Sequence, residues 1–209
     1  MSATYRLDRT AGLLFDAVGR RFDPQQRTWL NTPTPASGEL VGSIAAAHWL
    51  QQHSGAPVRV PVGVIGPREA SSAQLLAAEQ VGRGLAGMGL AVICGGRHGV
   101  MEAVCRGAAE AGGLSIGLLP DADPSFANPH VGLVIATGIG EARNALIARA
   151  SLCLVAIGDS FGTLSEVALG RQFGKRVIGL EGAAQIEGVI QVATVQQALH
   201  EVAQCVLAG

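Results

Sequence analysis

The stretch from Leu90 to Ala111, LAVICGGRHGVMEAVCRGAAEA, constrains the fold more than any other part of the chain. Leu90 to Cys94 is an apolar run long enough for a buried strand and too short for a buried helix. Gly95, Gly96, Arg97, His98 and Gly99 follow. Three of these five lack a side chain, so the backbone can turn sharply and a ligand can lie against it. Beyond Gly99, the apolar residues Val100, Met101, Val104, Ala108 and Ala111 recur at helical spacing. The reading is strand, glycine turn, helix. A helix that begins right after a tight turn points unpaired N–H groups and a positive dipole end at whatever sits over the turn, which favours phosphate or another anion. Arg97 can add a planar, bidentate charge and His98 a donor. Such turns also occur in any α/β protein simply to let strand and helix pack, so the functional reading leans on a second turn of this kind later in the chain.

That second turn belongs to a regular series that starts at Pro61. Val62 to Ile65 reads as a strand, followed by Gly66, Pro67 and Arg68. Ser71 or Ser72 caps a helix running to about Met88. Leu114 to Leu119 is a strand ended by Pro120, and Asp121 to Pro129 is a loop. Gly132 to Ala136 is a strand, Thr137 to Gly140 a turn and Glu141 to Ala150 a helix. Leu152 to Ile157 is a strand, Gly158 to Thr163 a turn and Leu164 to Phe173 a helix. Arg176 to Leu180 is the last strand, and Thr194 caps a helix from Val195 to Leu207. Strands that alternate with helices, each a nearly continuous apolar run, predict an α/β fold. The sheet is expected to be doubly wound, mainly parallel and Rossmann-like, with helices on both faces. In such sheets a ligand binds beyond the carboxyl ends of the strands, where the winding reverses.

Residues 1–60 differ and are expected to form an N-terminal extension beside a main domain over 61–209. They hold both tryptophans, the only tyrosine, and Pro24, Pro33, Pro35 and Pro57. Leu13 to Phe15 and Thr28 to Leu30 read as two short strands around a turn at Asp23-Pro24, Asn31 to Gly38 as a loop, and Leu40 to Gln52 as a helix. The segment is either an added layer on the main domain or an interface element, and both readings stay open.

Four segments converge on the ligand rim. Gly66-Pro67-Arg68 offers an arginine that either pairs with an anion or is a solvated loop residue. Gly95 to Gly99 is the turn described above. In the third, Thr137-Gly138-Ile139-Gly140-Glu141-Ala142-Arg143-Asn144, a cation falls near a helix N-terminus, where it opposes the dipole. A bound anion, or Glu141 or Glu166 nearby, would relieve that. In the fourth, Gly158 to Glu166, Thr163 serves as an N-cap or phosphate contact. Glu166 follows at capping-box spacing, and a helix N-terminus also stabilises a carboxylate. The expected ligand- and phosphate-binding set is Gly66, Arg68, Gly95, Gly96, Arg97, His98, Gly99, Val100, Thr137, Gly138, Arg143, Asn144, Ser160, Gly162 and Thr163.

Composition narrows the function. Charged residues make up 15% and hydrophobic residues 48%, which suits a buried core rather than disorder. A net charge of −1 gives no general attraction to nucleic acid or to an anionic membrane. Neither partner is expected, and with no membrane span and no signal-peptide core the expected location is cytoplasmic. Cys94, Cys105, Cys153 and Cys205 are widely spaced, the five histidines are scattered, and no metal site is expected. The turn after the first strand of the regular series lacks the dinucleotide fingerprint, and the chain has no phosphate-loop lysine motif, so ordinary NAD or ATP binding loses support.

Three segments carry a resemblance: CGGRHGVMEAVCRGAAEAGGLSIGLLP, NPHVGLVIATGIGEARNALIARA and GTLSEVALGRQFGKRVIGL. With them the chain resembles the LOG or lysine-decarboxylase-like Rossmann superfamily, and within it the molybdenum cofactor carrier-like branch. The likeness covers roughly residues 61 to 182 and leaves out the first 60. It implies a non-catalytic carrier for a phosphate-bearing small molecule, with no cofactor required and the molybdenum cofactor or a nucleotide monophosphate as the ligand. It also implies a homodimer or homotetramer built through helix faces. The alternative it implies is a phosphoribohydrolase that splits nucleoside 5'-monophosphates into base and ribose 5-phosphate. In that case Glu166 and Arg143 would be the catalytic pair, Glu166 at the acidic position of the PGGxGTxxE turn and Arg143 on the neighbouring helix. Where those enzymes carry PGG or GGG, this chain has Gly158-Asp159-Ser160. The side chains of Asp159, Ser160 and Phe161 are expected to fill space that glycines leave for a phosphate.

Overall fold

Short segments too brief for a helix open the chain, and they pair with one another. In the computed structural model, which describes residues 4–208, these are β1 (Thr4–Asp8), β2 (Leu13–Phe15), β3 (Arg21–Asp23), β4 (Thr28–Leu30) and β5 (Glu39–Gly42). They form an antiparallel five-stranded sheet in the order β4-β3-β2-β1-β5, followed by α1 (Ser43–His53). Tyr5 and Leu7 of β1 point inward between the exposed Thr4 and Arg6, the alternation a half-buried strand requires. Tyr5 stacks on Trp29 at 5.8 Å, and Phe22 meets the Trp29 ring edge-on at 4.8 Å. The Trp29 indole N–H donates to the carbonyl of Leu207 at 2.9 Å, so the half-buried ring keeps its polar handle paired.

Three expectations for this region need correction. β1 and β3 are strands that the sequence reading did not separate from loop, and β5 lies where it expected the start of a helix. The turn at Asp23-Pro24 joins β3 to β4, rather than β2 to β4. The helix expected from Leu40 starts at Ser43, because Glu39 to Gly42 pairs with β1 through the register Tyr5–Val41 and Arg6–Leu40. Contacts divide the chain into two compact units, Met1–Val58 with His200–Gly209, and Arg59–Leu199.

The larger unit is built on continuous apolar runs. β6 (Val62–Ile65), β7 (Val92–Cys94), β8 (Ser115–Leu119), β9 (Leu133–Ala136), β10 (Leu154–Ile157), β11 (Val177–Leu180) and β12 (Val189–Gln191) form a seven-stranded sheet, order β12-β11-β10-β6-β7-β8-β9. Every pairing in it is parallel. β6, β7, β10 and β11 are buried throughout, which is why they read as unbroken apolar runs rather than alternating ones. Ile65, Ile93, Ile147, Leu154, Val167 and Val177 belong to the core. The fold is Rossmann-like α/β. β12 was not expected; it has three residues, too few to show a period.

The helices are α2 (Ser72–Gly87), α3 (Val100–Glu110), α4 (Asn144–Ala150), α5 (Phe161–Gln172) and α6 (Val195–Leu207). Ser71 caps α2 with a complete capping box to Gln74. Two expected starts move. The helix expected from Glu141 is a 3-10 turn over Gly140–Arg143 that passes into α4 at Asn144. The helix expected from Leu164 begins at Phe161, because Ser160, not Thr163, is its N-cap and accepts from the Thr163 N–H. Glu166 is then six residues into the helix count from the cap, so it is no capping-box partner.

The chain runs outward from β6 through β7 and β8 to β9, then returns to place β10 on the other side of β6. The winding therefore reverses between β6 and β10, and their carboxyl ends open a crevice between Gly66 and Gly158.

Helices α2 and α3 cross at two glycines. A Cβ added at Gly82 would land on the Val104 carbonyl, and one at Gly107 on the Glu79 carbonyl. Both neighbours are backbone and cannot swing aside. Gly107→Ala is expected to push the helices apart and cost about 1–3 kcal/mol, read as a lowered urea midpoint with little change in slope.

Candidate functional site

At the reversal point the strand ends leave a cavity of about 600 Å³, within the range of small-molecule sites. The loop after β6 brings Gly66, Pro67, Arg68 and Glu69 to it, the end of β7 brings Gly95, and the loop after β10 brings Asp159, Ser160 and Phe161. Arg143 and Asn144 enter from the start of α4, with Gly162, Thr163 and Glu166 from α5. One side is therefore the N-terminal turn of a 12-residue helix. Ser160 already occupies the Thr163 N–H, and the Leu164 N–H returns to the Ser160 carbonyl. The two N–H groups before them, on Phe161 and Gly162, have no intrahelical acceptor by the geometry of a helix start. The positive end of the helix dipole adds to them.

Arg143 gives the cavity its charge. It is 4% exposed, the last residue of the 3-10 turn. A buried guanidinium needs partners. Here Nη1 lies 3.8 Å from Glu166 Oε1, Nη2 lies 3.9 Å from Glu141 Oε2, and Nε has no hydrogen-bond partner. Both carboxylates are beyond hydrogen-bond distance. The space Arg143 occupies exists because residue 95 is glycine. A Cβ there would fall on Arg143 Nη1, 2.6 Å from the Met101 sulfur and 2.7 Å from Arg143 Nη2. Gly95 is thus a cradle for the guanidinium.

Glu166 is 7% exposed. Burial pushes its carboxyl up from 4.5 to about 8; Arg143 opposes the shift and the negative charge of Glu141 adds to it. At neutral pH the carboxyl keeps its proton and can donate a hydrogen bond. Asn144 Nδ2 donates to Ser165 Oγ at 2.9 Å, which fixes the start of α4 against α5.

Of the expected set, Gly66, Arg68, Gly95, Arg143, Asn144, Ser160, Gly162 and Thr163 come together at the cavity, with Glu166. Gly96, Arg97, His98, Gly99, Val100, Thr137 and Gly138 do not line it, and each has other work. The Val100 N–H, expected to face a ligand, donates to the Pro67 carbonyl at 3.1 Å. Gly99, at φ +71°, lets that loop approach; a Cβ there would sit 2.5 Å from the Pro67 oxygen. A Cβ added at Gly96 would sit 3.0 Å from the Gly117 Cα. Arg97 pairs with Asp121 at 2.6 Å and lies over the Phe126 ring. His98 Nδ1 is 3.3 Å from Glu102. Thr137 Oγ1 donates to the Leu119 carbonyl at 2.6 Å, and the Gly138 N–H to Asp121 at 3.0 Å. The first glycine turn is therefore largely a packing device that ties three loops together.

Glu69, Met101, Glu141, Asp159 and Phe161 line the cavity without having been in the expected set. Phe161 does not fill it, being 95% exposed, and Ser160 is turned to its own helix, whereas Asp159 lines the cavity. Among the described residues, no three His, Cys, Asp or Glu side chains gather to hold a metal, and no helix is long and apolar enough to cross a membrane.

A model of the SLOG cluster4 family matches residues 59–207. A protein of Archaeoglobus fulgidus described as uncharacterized is 37% identical over 139 residues, spanning 66% of this chain and 91% of that one. Among solved structures, the molybdenum cofactor binding protein of the phototrophic bacterium Rippkaea orientalis is similar with a TM-score of 0.67 at 33% identity, over 70% of this chain and 98% of that one. The molybdenum cofactor carrier protein of Chlamydomonas reinhardtii gives a TM-score of 0.65 at 35% identity, over 70% and 98% of the two chains.

The raised carboxyl of Glu166 has a consequence for stability. Between pH 4.5 and about 8 the unfolded chain has released this proton and the native state still holds it, so the native state is favoured less as pH rises through that window. Glu166→Gln removes the titration. The variant is expected to gain stability relative to the parent between pH about 5 and about 8, measured by urea unfolding across the series. An unchanged difference at all pH values would mean the carboxyl is not shifted.

Proposed function

The chain belongs to the SLOG cluster4 family, and from that premise we propose that it is a non-catalytic binding or carrier protein for a phosphate-bearing small molecule, with the molybdenum cofactor as the candidate cargo. The observation that carries this reading is Arg143, a cation buried in the cavity wall with its Nε unpartnered and neither carboxylate within hydrogen-bond distance. A phosphate between it and the N-terminal turn of α5 would receive a bidentate cation, backbone N–H donors and a favourable dipole. The relatives named as molybdenum cofactor proteins support the cargo. The cavity is several times larger than a phosphate needs and leaves room for an organic body.

The phosphoribohydrolase alternative asks Glu166 to carry the negative charge that steadies a developing positive ribose or activates water. A carboxyl that keeps its proton to about pH 8 is poorly suited to either task at neutral pH. The expected result is therefore no free base on incubation with AMP, together with a raised melting temperature in its presence. At a concentration about 100 times Kd the stabilisation should be about 2.7 kcal/mol. Arg143→Ala should abolish it. Release of base that disappears in Glu166→Gln would favour the enzyme instead.

Self-association is the second part of the proposal. β9 is one of the two edge strands of the sheet, and Leu133, Val134 and Ile135 are 45%, 36% and 44% exposed. Consecutive strand residues face opposite sides, so both faces of this edge are apolar and uncovered. Packing of helices from a second copy over this edge would cover them, in keeping with an oligomer built through helix faces. Ile135→Lys is expected to shift the protein to monomer in light-scattering measurements without unfolding it; an unchanged mass would move the interface elsewhere.

A further inference from the structure

Two arginines line the cavity, and one carboxylate reaches both. Glu141 Oε1 lies 3.4 Å from Arg68 Nη2, and its Oε2 lies 3.9 Å from Arg143 Nη2. Arg68 comes from the loop after β6 and Arg143 from the turn before α4, so nothing in local sequence spacing brings them together. All three side chains line the same cavity. We propose that Glu141 is a built-in counter-ion, holding the Arg68–Arg143 pair until a doubly charged phosphate displaces it, so that the cavity selects terminal phosphate monoesters over diesters and carboxylates. This deepens the anion-binding reading above and rests on it.

The argument is one of exchange. A ligand that takes the place of Glu141 must replace the attraction Glu141 already supplies. A singly charged diester or carboxylate swaps one unit of negative charge for another and gains almost nothing, while still leaving water. A phosphate monoester carries close to two charges at neutral pH and three acceptor oxygens, so the swap leaves a net gain. The displaced group has somewhere to go. The Glu141 side chain is 66% exposed, and its contact to the half-exposed Arg68 is screened by solvent and therefore weak. The turn itself is held: the Gly138 N–H donates to the Asp121 carbonyl and the Gly140 N–H to the Pro120 carbonyl, both at 3.0 Å. Displacement is thus a rotation of one side chain, not an opening of the loop. Arg143 is left with an unpartnered Nε even while Glu141 is in place, so the counter-ion only partly satisfies it. Glu166, kept protonated by burial, adds no competing charge, while the carboxylates of Glu69 and Asp159 in the lining belong to exposed residues and are screened by solvent.

The experiment compares methyl phosphate with dimethyl phosphate and acetate by isothermal titration calorimetry at pH about 7.5, where the monoester is mainly dianionic. The parent protein is expected to bind methyl phosphate and to show no measurable heat with the two monoanions. Glu141→Gln should tighten methyl phosphate about three- to tenfold and bring dimethyl phosphate and acetate into the measurable range, so that discrimination narrows. Arg143→Ala should remove methyl phosphate binding from the parent, and binding of all three from the Glu141→Gln background. Equal discrimination in the parent and Glu141→Gln, or weaker methyl phosphate binding in the variant, would overturn the counter-ion role while leaving the anion cavity intact. No binding of methyl phosphate by either protein would overturn both.

Discussion

The arrangement at the end of the sheet depends on a guanidinium placed where water is scarce. Arg143 is buried beside Gly95, where a Cβ would meet its guanidinium and force it or Met101 to shift. A charge taken out of water is costly unless its partners repay the loss, and incomplete partnering is tolerated where it serves a site. The carboxyl of Glu166 avoids that cost for itself by holding its proton. The two residues therefore set each other's state: the arginine opposes the upward shift of the acid, and the acid, largely neutral, leaves the arginine's charge uncompensated.

The position of this pair follows from topology. A parallel sheet whose winding reverses between β6 and β10 leaves two adjacent strand ends without a crossing connection between them. The loop after β6 supplies Arg68, the loop after β10 delivers the N-terminus of α5, and α4 brings Arg143 across to the end of β7. The glycine turn after β7 contributes differently from what its composition suggests. Its Val100 N–H is spent on the Pro67 carbonyl, so that turn braces the neighbouring loop and lends the cavity only Gly95.

Much of this was legible in the sequence. The continuous apolar runs of β6, β7, β10 and β11 announce a doubly covered parallel sheet, because full burial on both faces removes any need for polar alternation. β12 and the strands β1, β3 and β5 were not legible, since they mix polar with apolar residues and none is buried throughout, so no continuous apolar run marks them. At the site, Arg143, Glu166 and Gly162 were marked by oddity: a cation and an acid near helix starts, and a glycine at a junction. Glu69 and Met101 carry no such mark; they reach the cavity from separate elements, and only the folded chain brings them there. The N-cap of α5 moved from Thr163 to Ser160 because both hydroxyls suit the role, and spacing alone does not rank them.

The account stands most directly on where an anion sits. A crystal structure of the protein grown with inorganic phosphate should show the phosphorus beside Arg143, with its oxygens about 3 Å from the guanidinium and from the Phe161 and Gly162 N–H groups. Glu141 should be turned away into solvent. A cavity holding only water at saturating phosphate, with Arg143 folded onto Glu166, would contradict it.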